Sequence, residues 1–270
     1  MSVESTAVRA ASLQALFQRG AWRMETPHSS EYARLYWITK GQGRVRTNGV
    51  GHNFHAHMAI FLPPRTMYSF DSAQQIQGTR ICFPADLASL LPEDTLFLRV
   101  RDARSQGQMG QMIELLASEL QAHSNGWHAA SRSYAALLAV QIERLRDEFF
   151  EPGAITGSSQ RIVEGYTALI EDHLTEGLGV ASFAQLLGIT PTHLTRVCRE
   201  ITGKTASNLL HERVIGEARR LLEDTDTPIR KIAEDLGFGS AAYFTRAFGQ
   251  RTGVTPSVAR LSSRQSRPAA

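Results

Sequence analysis

The spacing of hydrophobic residues changes character along this chain. From Arg34 to Phe83 they fall into short runs, among them Arg34 to Thr39, Gly43 to Thr47 and Ala59 to Leu62, punctuated by Gly, Asn and Pro. Runs of that length and spacing predict strands. Asn48-Gly49 is a tight-hairpin pair, because both central positions of such a turn favour positive φ. Many short strands at this spacing predict a small barrel or sandwich. The period then becomes helical. Met109, Met112, Ile113, Leu116 and Leu120 mark Gln108 to His123, and Tyr134, Leu137, Leu138, Ile142 and Leu145 mark Ala129 to Phe150. These stripes predict a helical hairpin after the strands. Glu151 to Ser159 has the Pro, Gly and Ser content of an interdomain linker. Beyond Ile162 only short amphipathic helices are predicted. Thr190-Pro191, Thr227-Pro228 and Thr255-Pro256 each set a capping hydroxyl before a proline at the first helical position, where its missing N–H costs nothing.

The helical half repeats itself at a period of about fifty residues, the signature of a structural duplication. Ala184, Leu187 and Gly188 recur as Ala233, Leu236 and Gly237, and after the turn, with one extra residue in the second copy, Thr195, Arg196, Gly203 and Thr205 recur as Thr245, Arg246, Gly253 and Thr255. Each copy has the anatomy of a helix-turn-helix: a short helix with a small residue in it, a turn opened by glycine, and a second helix with one polar face. Thr192, Thr195 and Arg196 lie three or four apart and share a face, away from Leu194 and Val197. The corresponding face of the second copy holds Ala241, Ala242, Thr245 and Arg246, with Tyr243, Phe244 and Phe248 expected in the packing. An Arg that reads guanine contributes about 1–3 kcal/mol of discrimination, while alanine offers only contact with a thymine methyl, so the first helix is expected to read more sequence. Ala206 to Leu222 should form one helix that holds the units rigidly, so that they meet two major-groove segments roughly 34 Å apart.

Composition narrows the class. At 270 residues, 42% hydrophobic and 20% charged, the chain suits about two globular domains. It shows neither a signal-peptide pattern nor a long apolar run, so no membrane association and a cytoplasmic location are expected. Cys82 and Cys198 lie too far apart in sequence to suggest a disulfide framework or zinc site. The net charge is only +3, but no acidic residue follows Asp235, whereas Arg246, Arg251, Arg260, Arg264 and Arg267 do. That basic end suits a phosphate backbone.

Ala218, Leu221, Pro228, Ile229, Ile232, Ala233, Gly237, Phe238, Ser240, Tyr243, Phe244, Arg246, Phe248, Gly253, Thr255, Pro256 and Arg260 closely resemble the signature of the AraC/XylS family of bacterial transcription regulators. The resemblance covers about a hundred residues, from Tyr166 to Arg260. It departs at Ala259, where the family usually carries an aromatic residue before its last arginine, which weakens the packing of the final turn. By resemblance, Thr192, Thr195 and Arg196 in the first unit and Ala242, Thr245 and Arg246 in the second face bases. The N-terminal half resembles, more weakly, the cupin-like sensor domain common in the family. Ile189 to Leu194 and Cys198-Arg199 look most like the subgroup that activates catabolism of hydroxylated aromatic acids.

The expected fold is therefore α+β, with a cupin-like β-barrel and helical hairpin (1–150), a linker (151–163), an all-α double helix-turn-helix domain (164–262) and a basic tail (263–270). For the β half, the expected effector pocket is lined by Arg34, Tyr36, Ile38, Phe61, Tyr68 and Arg80, aromatic and apolar walls with one cation for a carboxylate. His55 and His57 would share a face if they lay in a strand, with His52 nearby, but Met58 to Leu62 supply no carboxylate ligand, so no metal site is expected. No catalytic residues and no cofactor are expected either. The alternative for this half is a metal-dependent cupin enzyme. The expected partners are double-stranded DNA, a small-molecule effector of the aromatic-acid class, and a second copy of the chain docked through the helical hairpin. RNA polymerase is a further partner compatible with an activator of a catabolic operon.

Overall fold

Strand β1 (Arg9–Ser12) opens the chain, and the short helices α1 (Leu13–Gln18) and α2 (Trp22–Glu25) follow it. In the computed structural model, residues 7–18, 22–71, 75–149 and 157–265 are described. The main strands are β2 (Arg34–Lys40), β3 (Gly43–Thr47), β4 (Val50–Phe54), β5 (Met58–Leu62), β6 (Tyr68–Asp71), β7 (Gln77–Cys82) and β8 (Leu96–Arg99). They form a five-stranded sheet ordered β1-β7-β2-β5-β8 and a three-stranded sheet ordered β4-β3-β6. The expected barrel is thus two separate ladders. Asn48 (φ 50°) and Gly49 (φ 79°) join β3 to β4 with Thr47 opposite Val50, as the hairpin pair predicts.

Strand alternation assigns the two faces of the larger sheet. Leu35, Trp37, Ala59, Phe61 and Ile81 pack against α3 (Ala103–Ala122) and α4 (Trp127–Phe149) through Met109, Leu116, Leu138 and Ile142. Tyr36, Ile38, Ile60 and Leu62 face the smaller sheet and meet Val45, Phe54 and Phe70. The helical hairpin is therefore largely a cover for the sheet. Its large apolar residues left exposed include Leu115, Leu137 and Val140, whereas most of the predicted stripes are buried against the sheet.

In the helical half, α5 (Ser158–Asp172), α6 (Val180–Leu186), α7 (Pro191–Thr202), α8 (Ala206–Asp224), α9 (Ile229–Asp235), α10 (Ala241–Thr252) and α11 (Pro256–Gln265) share one core that includes Tyr166, Phe183, Leu194, Leu210, Phe244 and Phe248. Helix α5 begins at Ser158, inside the stretch 151–163 read as linker, because Val163, Tyr166 and Ile170 form a buried stripe. Residues 151–156 and the end of the tail, 266–270, lie outside those described. The Thr190 hydroxyl caps α7 by accepting from the His193 N–H, and Thr255 accepts from the Val258 N–H. Thr227 caps nothing. Pro228 itself is the N-cap of α9, with an extended ψ of 139°, and the Thr227 N–H instead donates to the Thr225 hydroxyl.

The two halves are docked. Arg23 pairs with Glu223 and Asp224 at the end of α8, and Arg219 lies 3.9 Å from the Trp22 ring centroid. A Cβ at Gly216 would sit 2.7 Å from the Pro27 carbonyl oxygen, so α8 and the segment after α2 pack backbone to backbone. Between them lies a buried charge pair: Arg213 donates to both carboxylate oxygens of Glu171 at 2.6 and 3.0 Å, with side-chain exposures of 5% and 4%. Ser29, from the β half, donates to the same carboxylate at 2.5 Å.

His28 sits beside this contact. It exchanges both backbone hydrogen bonds with Tyr68, and its ring lies 4.2 Å from the Tyr68 ring. Burial, then the positive charge of Arg34 with further contributions from Arg213 and Arg80, pushes the His28 ring down to about 3, against the pull of the Thr26 carbonyl. An unfolded His titrates near 6.5, so as the pH falls below that value the unfolded chain takes up a proton that the folded chain refuses. This group's contribution to stability is lost at up to about 1.4 kcal/mol per pH unit between roughly 6.5 and 3. Urea unfolding at pH 7.5 and 5.5 should show a loss about 1 kcal/mol larger for the wild type than for His28→Gln. Equal losses would mean that His28 protonates freely in the folded chain.

Candidate functional site

The duplicated segments fold into matching units. In the first, α6 of 7 residues and α7 of 12 are joined through Gly188; in the second, α9 of 7 and α10 of 12 are joined through Gly237. Gly188 and Gly237 have φ of 67° and 75°, a region that side chains resist. The turns close with equivalent bonds, Ile189 N–H to the Ala184 carbonyl at 3.0 Å and Phe238 N–H to the Ala233 carbonyl at 2.9 Å. Buried Ala184 and Ala233 let the paired helices approach. Helix α8 runs between the units, its start capped by the Thr205 hydroxyl accepting from Asn208 N–H. The Ser240 hydroxyl caps α10 in the same way. Neither cap precedes a proline, so the Thr-Pro pattern passed over both.

On α7, Thr192 and Arg196 are exposed and Thr195 is half-buried, while Leu194, Val197 and Cys198 face the core. Arg196 reaches Glu200 at 3.1 Å and His193 at 3.3 Å along its own helix. An exposed pair of this kind contributes little to stability and leaves the guanidinium free to exchange partners. On α10, Ala241, Ala242 and Arg246 are exposed, and Arg246 makes no ion pair among the described residues. Thr245 is half-buried, and its hydroxyl donates to the Ala241 carbonyl at 2.8 Å. Tyr243, expected in the packing with Phe244 and Phe248, is instead 50% exposed and only tilts against Phe238 at 5.9 Å. Arg260, read as part of a basic end, lies along the protein, donating to the carbonyls of Leu222 and Thr227. It thereby ties α11 to the end of α8, and the small Ala259 beside it is buried. The side chain of Arg264 and all of Arg267 lie outside the described residues.

In the β half the structure brings together Arg34, Tyr36, Tyr68 and Arg80. Arg34 donates to the Tyr68 hydroxyl, Tyr36 donates to the same oxygen at 2.7 Å, and Arg80 stands opposite Tyr36 in the β2–β7 register. Burial pushes the Tyr36 hydroxyl up to about 12, against the pull of the Arg34 and Arg80 charges. The Nε atoms of Arg34 and Arg80 are buried without a hydrogen-bond partner, and neither guanidinium has a carboxylate partner among the described residues. Two such cations side by side are costly unless something anionic answers them. Ile38 belongs to the same core, beyond Tyr36. Phe61 does not. It pairs with Leu35 in register and packs against Phe83 on the opposite face of the sheet, under the helical hairpin.

His55 and His57 lie at the turn between β4 and β5 rather than in a strand, with His57 at φ 61°, and His52 stacks on Phe97 at 4.2 Å. Among the described residues no group of three or more His, Cys, Asp or Glu is placed to hold a metal. No helix among them is long and apolar enough to cross a membrane. The Glu171–Arg213 pair, within the helical half and touched by Ser29 of the β half, is not legible in the sequence. Its one signal was an arginine within the apolar stripe Leu209, Leu210, Val214 of α8.

Comparison with known proteins agrees with both halves. Residues 183–262 match a helix-turn-helix domain, and residues 11–139 match the AraC-like ligand binding domain. Regulatory protein SoxS of Escherichia coli is 32% identical over 100 residues, covering 37% of this chain and 94% of SoxS. The HTH-type transcriptional activator RhaS of Mannheimia succiniciproducens is 18% identical over 248 residues, covering 87% of this chain and 88% of RhaS. A crystal structure of an apo ToxT variant from Vibrio cholerae aligns with a TM-score of 0.48 and 14% identity over 94% of this chain and 96% of ToxT. The chain belongs to the AraC family of transcription regulators, joining a β-rich ligand-binding domain to a helical domain of two helix-turn-helix units.

Proposed function

We propose that this regulator reads DNA with α7 and α10 in two successive major-groove segments and is controlled by an organic acid bound in its β half. The observation that carries the first part is the duplication itself: equal helix lengths, turns closed by equivalent hydrogen bonds although the second is one residue longer, and exposed residues at matching helix positions. A generic helical bundle needs no such repetition of exposed residues. Thr192, Thr195 and Arg196 supply the hydrogen-bonding face of the first reader, and Ala242, Thr245 and Arg246 supply a second face dominated by methyl groups and one arginine. The first helix then sets most of the hydrogen-bonded sequence preference. A division at 1–150, 164–262 and 263–270 assigns sensing, reading and a basic tail to different parts of the chain.

The unpartnered Nε atoms of Arg34 and Arg80 support a carboxylate as the effector's head group, set against Tyr36 and Tyr68. Planar bidentate recognition of a carboxylate is what a guanidinium does well. An aromatic acid is the class that would set its ring against these tyrosines. Tyr68 is bonded through its backbone to His28, and the neighbouring Ser29 reaches the Glu171–Arg213 pair on α5 and α8. An acid that shifts Tyr68 therefore acts on the helix carrying both readers, provided it binds the two arrangements with different affinity. Activation of a catabolic operon in the cytoplasm, with RNA polymerase as the further partner, accords with the activator RhaS among the relatives. A second copy docks through Leu115, Leu137 and Val140.

Arg196→Ala should weaken binding to the preferred duplex by about 1–3 kcal/mol while leaving random duplex little changed, measured by fluorescence anisotropy at fixed salt. Equal losses on both duplexes would make Arg196 a phosphate contact. Leu137, 52% exposed, bears no part of the sheet packing, so Leu137→Asp should leave the fold intact and abolish dimers in sedimentation velocity. An unchanged dimer population would remove the hairpin as the interface.

A further inference from the structure

Between the two reading units lies a cavity of about 550 Å³. Its floor is α8, where Leu210 and Val214 continue an apolar surface with Leu174 from the end of α5. One end is shut by an unusual contact: the backbones of Gly177 and Gly237 meet so closely that a Cβ on Gly237 would stand 2.1 Å from the Gly177 Cα. Both glycines have positive φ, Gly177 in the connection from α5 to α6 and Gly237 in the turn of the second unit, so the close approach is built into those two segments. The opposite wall is α10, which contributes Tyr243, Arg246 and Arg251, while α8 contributes His211. Arg251 is steadied by donating to the Asn208 side-chain oxygen at 3.2 Å. Among the described residues no Asp or Glu lines the cavity, although His173, which does, contacts Glu176 at 2.8 Å.

We infer that this cavity is a second binding site, for a small organic acid with a flat apolar body, distinct from the effector site in the β half. The volume falls within the range of small-molecule sites, and an apolar floor with a few convergent polar groups is their usual construction. The charge decides the head group, since two guanidiniums on one wall match a carboxylate. The floor argues against the DNA backbone as the occupant, because a solvated phosphate chain gains nothing from Leu174, Leu210 and Val214. Burial and the neighbouring Arg251 hold the His211 ring below its ordinary value, which keeps it a neutral hydrogen-bonding group beside the head. Arg246 belongs to this wall and to the proposed reading face alike, so acid and operator exclude each other. The acid acts here as a direct competitor of DNA.

Equilibrium dialysis of 2-naphthoate against the full-length chain tests this. The wild type should bind two equivalents, and Arg251→Glu, an exposed change at the end of α10, should weaken one of them at least tenfold. Saturating operator duplex should displace that same equivalent, and the uncharged analogue 2-naphthalenemethanol should not occupy it. If the β-half reading alone is wrong, one equivalent remains and Arg251→Glu removes it. If Arg251→Glu leaves acid binding unchanged, or the wild type binds no equivalent that operator displaces, the cavity site is refuted. A loss of operator affinity in Arg251→Glu with a shallower salt dependence, and no acid bound at this site, would instead assign the basic wall to the DNA backbone.

Discussion

The arrangement of this protein depends on one buried charge pair. Glu171 and Arg213 join α5 to α8, the helix against which both reading units pack, and they are almost wholly withdrawn from water. Desolvating two charges costs several kcal/mol per ion, which good geometry and additional hydrogen bonds must offset. Here the geometry is two-pronged, Glu217 adds a second acceptor to Arg213 at 3.2 Å, and Ser29 supplies a donor to Glu171 from the other half of the chain. The pair is thus completed by the β half. A helix whose internal electrostatics are finished by a neighbouring domain is sensitive to that domain's position, and the proposed control by an effector rests on this contact.

The sensor side is built from the same difficulty in reverse. Arg34 and Arg80 are half-buried among aromatic rings, bonded to the Tyr68 and Tyr36 hydroxyls and, among the described residues, to no carboxylate. Where α8 holds a closed ion pair, the β half holds two guanidiniums whose Nε atoms have no hydrogen-bond partner there. The path between the two is short: Tyr68 bonds His28, and Ser29 follows in sequence. Arg23 with Glu223 and Asp224, and Arg65 with Asp172, lie around its rim, where solvent weakens them. The centre of the contact, not its rim, therefore carries the specificity of docking.

Sequence made legible those features whose cause is local. Gly188 and Gly237 needed positive φ, Ala184 and Ala233 had to be small, and Asn48-Gly49 demanded its turn; each constraint is written in one or two residues. The duplication multiplied those signals, so the helical half could be read almost helix by helix. What depends on relations between distant strands was harder. Phe61 was grouped with Tyr36 because their strands neighbour each other, yet pairing Phe61 with Leu35 turns it to the other face. Thr227 resembled its fellow caps, but Pro228 took the cap position itself. Tyr243 carried the apolar character of a packing residue and sits at the edge of a cavity that only the folded pair of units creates. The helical hairpin had stripes wide enough for an interface because it covers a sheet that sequence could not place against it.

Whether two rigidly connected helices read DNA together is decided by selection of random duplex DNA with the purified full-length chain. Joint reading by α7 and α10 should enrich a motif with two elements about one helical turn apart, the one under α7 more constrained in sequence than the one under α10. Enrichment of a single short element, or none, would rule joint reading out.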